Sequence, residues 1–263
     1  MRFAVSGDGR RNGRRLRWSW YRYAARMTES TGAEGVGGES SALDDPDYRQ
    51  AVVDLLAAIA YGEISAFERL AEDAKLAPSL EDKLAIAAMA GNELGHVGLL
   101  RDRMTELGAD PYAAMAPFQQ AVDLFHEHTA PSDWYEGLVK AYVGDGLAAD
   151  FYREIAAYLD PRTREVVLAS LSDAGHSEFV VDRVKAAIAE DHRLGGRLAL
   201  WGRRLMGEAL TQAQRVAADR DALSALLAGG VDRPALDLAA IGRMFARITE
   251  LHAERMARLG LDS

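Results

Sequence analysis

From Asp45 onward, apolar residues recur every three or four positions in long stretches broken by turns that carry proline or glycine. That spacing marks amphipathic helices. Asp45-Pro46 supplies an N-cap followed by proline at the first helical position. A first helix is predicted from there to about Lys75, with Leu56, Ile59, Glu63, Phe67 and Leu70 on one face. Ala77-Pro78-Ser79 makes a turn, and Ser79 with Asp82 forms a variant of the capping box. The second helix is predicted to Leu107, with Gly108 as C-cap and Ile86, Met89, Glu93, His96 and Leu100 aligned. A connection over residues 108–132 carries a short helix from Pro117 to about His128. The third helix runs to about Leu159 and aligns Leu138, Tyr142, Asp145, Ala149 and Tyr152. Asp160-Pro161 opens a fourth, predicted as continuous to about Glu190, with Val166, Ala169, Asp173, His176 and Val180 in line. Residues 196–218 and 234–258 read as two further helices.

Short turns make each pair of helices antiparallel, and one long crossover joins the pairs. That is the connectivity of a ferritin-like four-helix bundle, so the fold class is all-α. The bundle is expected over residues 45–190, and residues 191–263 should cover it or form a subunit interface in a homodimer. Residues 1–44 lack helical periodicity. Their first 26 positions hold eight arginines and one acid, and a Gly/Ser-rich stretch follows. Disorder is expected there, with Met27 as the favoured true start and a basic arm for an acidic partner as the alternative.

Composition narrows the chemistry. There is no cysteine, which excludes disulfides, iron–sulfur clusters and thiolate zinc sites. Any metal must be held by His, Asp and Glu. No apolar run reaches the roughly 20 residues of a membrane span and no secretion signal is convincing, so a cytoplasmic protein without a membrane partner is expected. The net charge is −9, and the basic N-terminal segment leaves the rest more acidic still. Such a body repels phosphate backbones.

The inner faces of the four helices are apolar except for carboxylates and imidazoles. Glu63 lies on the first helix, Glu93 and His96 on the second, Asp145 on the third, and Asp173 and His176 on the fourth. A carboxylate and a histidine three residues apart project from the same face. The two halves repeat: Glu63 and Glu93 are 30 residues apart, Asp145 and Asp173 are 28 apart, and each second acid has a histidine three positions on. A rise of about 1.5 Å per residue makes the acids of each hairpin level. Six such groups can hold two adjacent cations, whereas burying four carboxylates without cations costs several kcal/mol per charge. Few basic residues lie on these faces. Asp150 is a less level alternative to Asp145. Asp123 and His126 make the same short motif in the crossover, but without a counterpart they read as structural or surface residues. Gly62, Gly95, Gly144 and Gly175 adjoin the candidate ligands; they could leave space for a substrate or allow close helix packing. Tyr61 and Tyr142 could hydrogen-bond ligands or simply fill the core.

Tyr-Gly-Glu-Ile-Ser-Ala-Phe-Glu at 61–68, Asn-Glu-Leu-Gly-His at 92–96, Gly-Asp at 144–145 and Asp-Ala-Gly-His at 173–176 carry a resemblance. The chain over about residues 50–190 resembles the ferritin-like di-iron carboxylate superfamily, and within it the MiaE-like tRNA hydroxylases. The resemblance implies iron ligands at Glu63, Glu93, His96, Asp145, Asp173 and His176, although the superfamily usually has Glu at most of the carboxylate positions. It also implies an oxidoreductase that uses two irons to activate O2, with an electron-donor protein. Histidine and carboxylate donors suit iron or manganese alike. An O2-dependent hydroxylase or monooxygenase of an organic substrate is the leading expectation, with a small molecule preferred to tRNA because of the acidic charge. A ferroxidase or peroxide-handling protein, and a non-enzymatic helical module, are the alternatives.

Overall fold

The computed structural model describes residues 41–171, 176–228 and 238–263. Residues 1–40 of the 1–44 segment expected to be disordered lie outside the described residues; its last four, Ser41–Asp44, instead form a short helix, α1. Side-chain caps set where the long helices begin. Asp45 accepts from Asp47 N to start α2 (Pro46–Asp73), and Ser79 accepts from Asp82 N to start α3 (Leu80–Glu106). The crossover contains α4 (Pro111–Met115) and α5 (Gln119–His128), separated by a 3₁₀ turn at Ala116–Phe118. Asp133 caps α6 (Trp134–Ala156) and Asp160 caps α7 (Pro161–Ser170). Then come α8 (His176–Glu190), α9 (His192–Asp219), α10 (Asp221–Ala228) and α11 (Leu238–Arg258). No strand occurs among the described residues.

Two expectations need correction. The fourth helix is not one continuous rod: α7 ends at Ser170 and α8 begins at His176. Leu171 N bonds Leu168 O at 3.3 Å, a tightened last turn. Beyond the bundle, α10 is a further helix that the periodicity did not indicate. It packs on α2 and buries Leu223 and Leu226.

The α2–α3 hairpin organises two apolar clusters. One contains Leu56, Leu100, Phe118, Ile155 and Val167. The other contains Ile86, Leu138, Val180, Leu198 and Met256. By length and composition α2 could cross a membrane, but 61% of its apolar window is buried inside this protein, which is how a core helix passes that test. Some buried polar groups tie helices together. Arg103 joins α3 to the start of α7 through Thr163 Oγ1 at 3.0 Å and Asp160 Oδ1 at 3.2 Å.

The C-terminal helices pack on the bundle. Trp201 of α9 donates Nε1–H to Glu136 O at 2.9 Å, and Arg255 of α11 meets Asp150 of α6 at 2.6 Å. Small residues make the approach possible. A Cβ at Gly202 would overlap Sδ and Cε of Met256, which is fully buried. Met256 has no free space to retreat into, so overpacking costs up to about 1–3 kcal/mol, offset by about 1 kcal/mol from replacing a helical glycine with alanine. Gly202→Ala should therefore lower the midpoint of thermal unfolding, as followed by circular dichroism, without changing the helical signal of the native state.

Candidate metal centre

The inward stripe of α2 carries Glu63, which is only 9% exposed. α3 crosses it with Glu93 and His96 on the facing stripe. One ligand atom from each of these three residues lies within 4.8 Å of the other two. His96 Nδ1 stands 3.5 Å from Glu63 Oε2, and both atoms are buried without a hydrogen-bond partner. Burial pushes the Glu63 carboxyl up to about 7; a hydrogen bond from Glu93 works against this, and the charge of Asp145 adds to it. Two acids and an imidazole with converging lone pairs fit a cation, which would displace the proton and satisfy the orphaned atoms.

The remaining candidates separate. Asp145, on α6, lines the same cavity and acts electrostatically on Glu63, but it is exposed and outside the three-residue group. Asp150 is buried and held by Arg255 at 2.6 Å and Arg153 at 3.3 Å, so its carboxylate serves packing between α6 and α11. Asp173 lies outside the described residues. His176 is the first residue of α8, and its side chain is likewise outside them.

Around the cluster is a cavity of about 360 Å³, lined mainly by apolar side chains such as Leu55, Ile59, Phe118, Val122 and Phe125. This size is typical of small-molecule sites. Gly62 and Gly144 line it, and nothing lies within 4 Å of a Cβ placed at Gly144, so this glycine faces space rather than a packed helix. Gly95 also meets nothing, and Gly175 lies outside the described residues. Tyr61 turns away, donating to Asp123 Oδ1 at 2.9 Å. Tyr142 is buried in the cavity wall, where Arg258 stacks over its ring at 5.9 Å.

Two residues have larger parts than the sequence suggested. Tyr152 lines the cavity beside Gly62, and burial together with the Glu63 charge pushes its phenol far up, so it stays protonated. Its position seven residues after Asp145, on the same stripe, was the available signal. His126 is not a surface residue. It lines the cavity with its Nδ1 buried and unpartnered. Burial, then Lys140 and Arg69, push it down to about 3. Those two cations also correct the expectation of few basic groups on the inner faces, since both line the cavity.

A pH dependence follows. Unfolded histidine takes up a proton near pH 6.5, whereas folded His126 does so only near 3. The unfolded state therefore binds more protons between these values, and the contribution of His126 to stability is lost as pH falls below 6.5. Glu63 works in the opposite direction, so the comparison requires His126→Gln. In urea unfolding, the metal-free wild type should lose stability relative to this variant between pH 7 and pH 4.

Comparison with known proteins agrees with this architecture. Among solved structures, protein 19 with aldehyde deformylating oxidase activity from Synechococcus is similar, at a TM-score of 0.63 and 19% identity, over 84% of this chain and 94% of that one. A search of curated protein sequences finds no match. Residues 46–230 match the family described as the ferritin-like domain of actinomycetes. With most of its length matched, this chain belongs to that ferritin-like family.

Proposed function

We propose that this protein is a non-haem di-iron oxidoreductase that uses O2 to oxidise a small, largely apolar organic molecule. The observation that carries the reading is the convergence of Glu63, Glu93 and His96, with unpartnered buried atoms, on the wall of an apolar cavity. Glu63, Glu93 and His96 would hold one iron, and Asp145, Asp173 and His176 the second. When bound, the metals supply the electrons that reduce O2. The chain's own residues do the rest. Apolar side chains exclude water and position the substrate, while Tyr152 keeps its O–H and remains a hydrogen-bond donor near Glu63. The apolar lining of the cavity and the acidic charge favour a small molecule over a MiaE-type tRNA substrate. An electron-donor protein and a homodimeric state belong to the same proposal.

Anaerobic reconstitution with ferrous iron tests the first half. About two irons per chain are expected for a paired carboxylate–histidine site, and fewer than about one would contradict the reading. A single turnover with labelled O2 tests the second half: an oxidase of organic molecules converts a medium-chain aldehyde, alcohol or alkane. Ferric iron and reduced oxygen without organic product would assign a ferroxidase instead.

A further inference from the structure

The cavity has a second polar region away from the metal cluster. Arg69 and Asp73 of α2, His126 of α5 and Lys140 of α6 line it together. At about 1.5 Å per residue, Arg69 and Asp73 lie roughly 9 and 15 Å further along α2 than Glu63. Lys140 is 6% exposed and donates from Nζ to Thr129 O at 2.8 Å. Asp73 packs its carboxylate against Gly137, one turn before Lys140 on α6. Among the described residues, neither Asp73 nor Lys140 closes an ion pair within 4.0 Å. The Nε of Arg69 and Nδ1 of His126 are buried without a partner. Arg69, whose side chain is 42% exposed, also pairs with Glu72 at 2.9 Å and Glu68 at 3.9 Å, both more than half exposed and outside the cavity lining.

The polar lining points to a sign. Arg69 and Lys140 bring two positive charges into it and Asp73 one negative, while Glu72 and Glu68 offset Arg69 from outside. Lys140 uses one of its three N–H donors on Thr129 O, so donor capacity is left over in the cavity. The buried Nε–H of Arg69 is a donor without an acceptor, and Nδ1 of His126 is unpartnered, donor or acceptor by tautomer.

We propose that Arg69, His126 and Lys140 form a subsite for the carboxylate of an amphipathic substrate, whose apolar chain extends along the cavity to the Glu63–Glu93–His96 cluster. This rests on the proposed function for what happens at the cluster, but the subsite itself binds with or without metal. The oxidised carbon is then remote from the carboxylate. Asp73 positions Lys140 from the side and rejects a second anionic group.

The test is calorimetric titration of the full-length, metal-free protein with octanoate, decanoate and dodecanoate, against the matching 1-alkanols and alkylamines. A charge-assisted anchor should make at least one carboxylate bind about tenfold or more tightly than its alcohol. Lys140→Met should remove that preference and leave alcohol binding in place. Because Lys140 is buried, where a substitution also acts on helix packing, Arg69→Gln and His126→Gln serve as a second pair, each expected to reduce carboxylate binding while sparing the alcohol. Equal affinity for acid and alcohol, tighter binding of the amine, or an unchanged preference in all three variants overturns the subsite. Iron loading of the same proteins is measured separately. Normal loading without carboxylate preference defeats this inference alone, whereas carboxylate preference without iron defeats the proposed function and leaves the subsite standing.

Discussion

Glu63→Gln should abolish stable iron binding and at the same time make the metal-free protein more stable. Glu63 is buried, one of its oxygens has no hydrogen-bond partner, and its carboxyl is pushed from 4.5 up to about 7. A carboxyl raised in this way protonates first in the folded state. Stability of the metal-free protein therefore falls as pH rises from the unfolded value through the folded one, and the full cost applies above pH 7. At about 1.4 kcal/mol per pH unit the charge costs roughly 3 kcal/mol. A buried amide has its own desolvation cost, so a gain of about 1–3 kcal/mol is the expected result. Urea unfolding of both metal-free proteins at pH 8 measures this, and elemental analysis after ferrous reconstitution measures the loss of iron. His96→Ala and His176→Ala should each also lower the iron content while the far-ultraviolet circular dichroism stays helical; His126→Ala should leave iron unchanged. Destabilisation by Glu63→Gln together with full iron content would contradict the assignment of Glu63.

Asp150→Ala should have the converse signature: a large loss of stability with iron content intact. Asp150 and Arg255 are 6% and 12% exposed in their side chains, and their atoms meet at 2.6 Å. Removing one partner of such a buried pair leaves the other charge uncompensated, which costs about 3–5 kcal/mol. Arg153 also approaches Asp150, at 3.3 Å, but it is half exposed and does not replace the contact with α11. Arg255→Ala should cost at least as much, because Asp150 then remains buried. Asp145→Ala is the control on the same helix. Its exposed side chain contributes little to packing, so stability should hold while iron content falls. If Asp150→Ala removed iron and Asp145→Ala did not, the two acids would exchange roles.

The bundle was legible because it is written locally. Asp45-Pro46, Ser79 and Asp160-Pro161 are capping signals that depend on only a few neighbouring residues, and the structure uses each as the sequence implies. Glu63, Glu93 and His96 were legible for a related reason: the hairpin turn makes positions equidistant from it meet. The roles of Asp150 and His126 were not. Nothing near Asp150 in sequence announces Arg255, 105 residues away. His126 has the spacing of a decoy motif, and only the packing of α5 on α2 and α9 shows that it faces a cavity. Lys140 was hidden similarly, since a lysine on a helix is ordinarily solvated and its carbonyl partner, Thr129, lies in the turn before α6.

The tie between α6 and α11 also bears on the order of assembly. Contacts distant in sequence form late, because the loop between them must close first. Glu63, Glu93 and His96 belong to a local hairpin that can dock as soon as its turn forms. α6, which carries Asp145, is secured by Arg255 and by a core that includes Met256, Leu259 and Leu261. The hairpin that carries Glu63, Glu93 and His96 is thus ready early, and α6 waits for residues near position 260. In pulsed hydrogen exchange during refolding, amides of α2 and α3 should gain protection before those of α6.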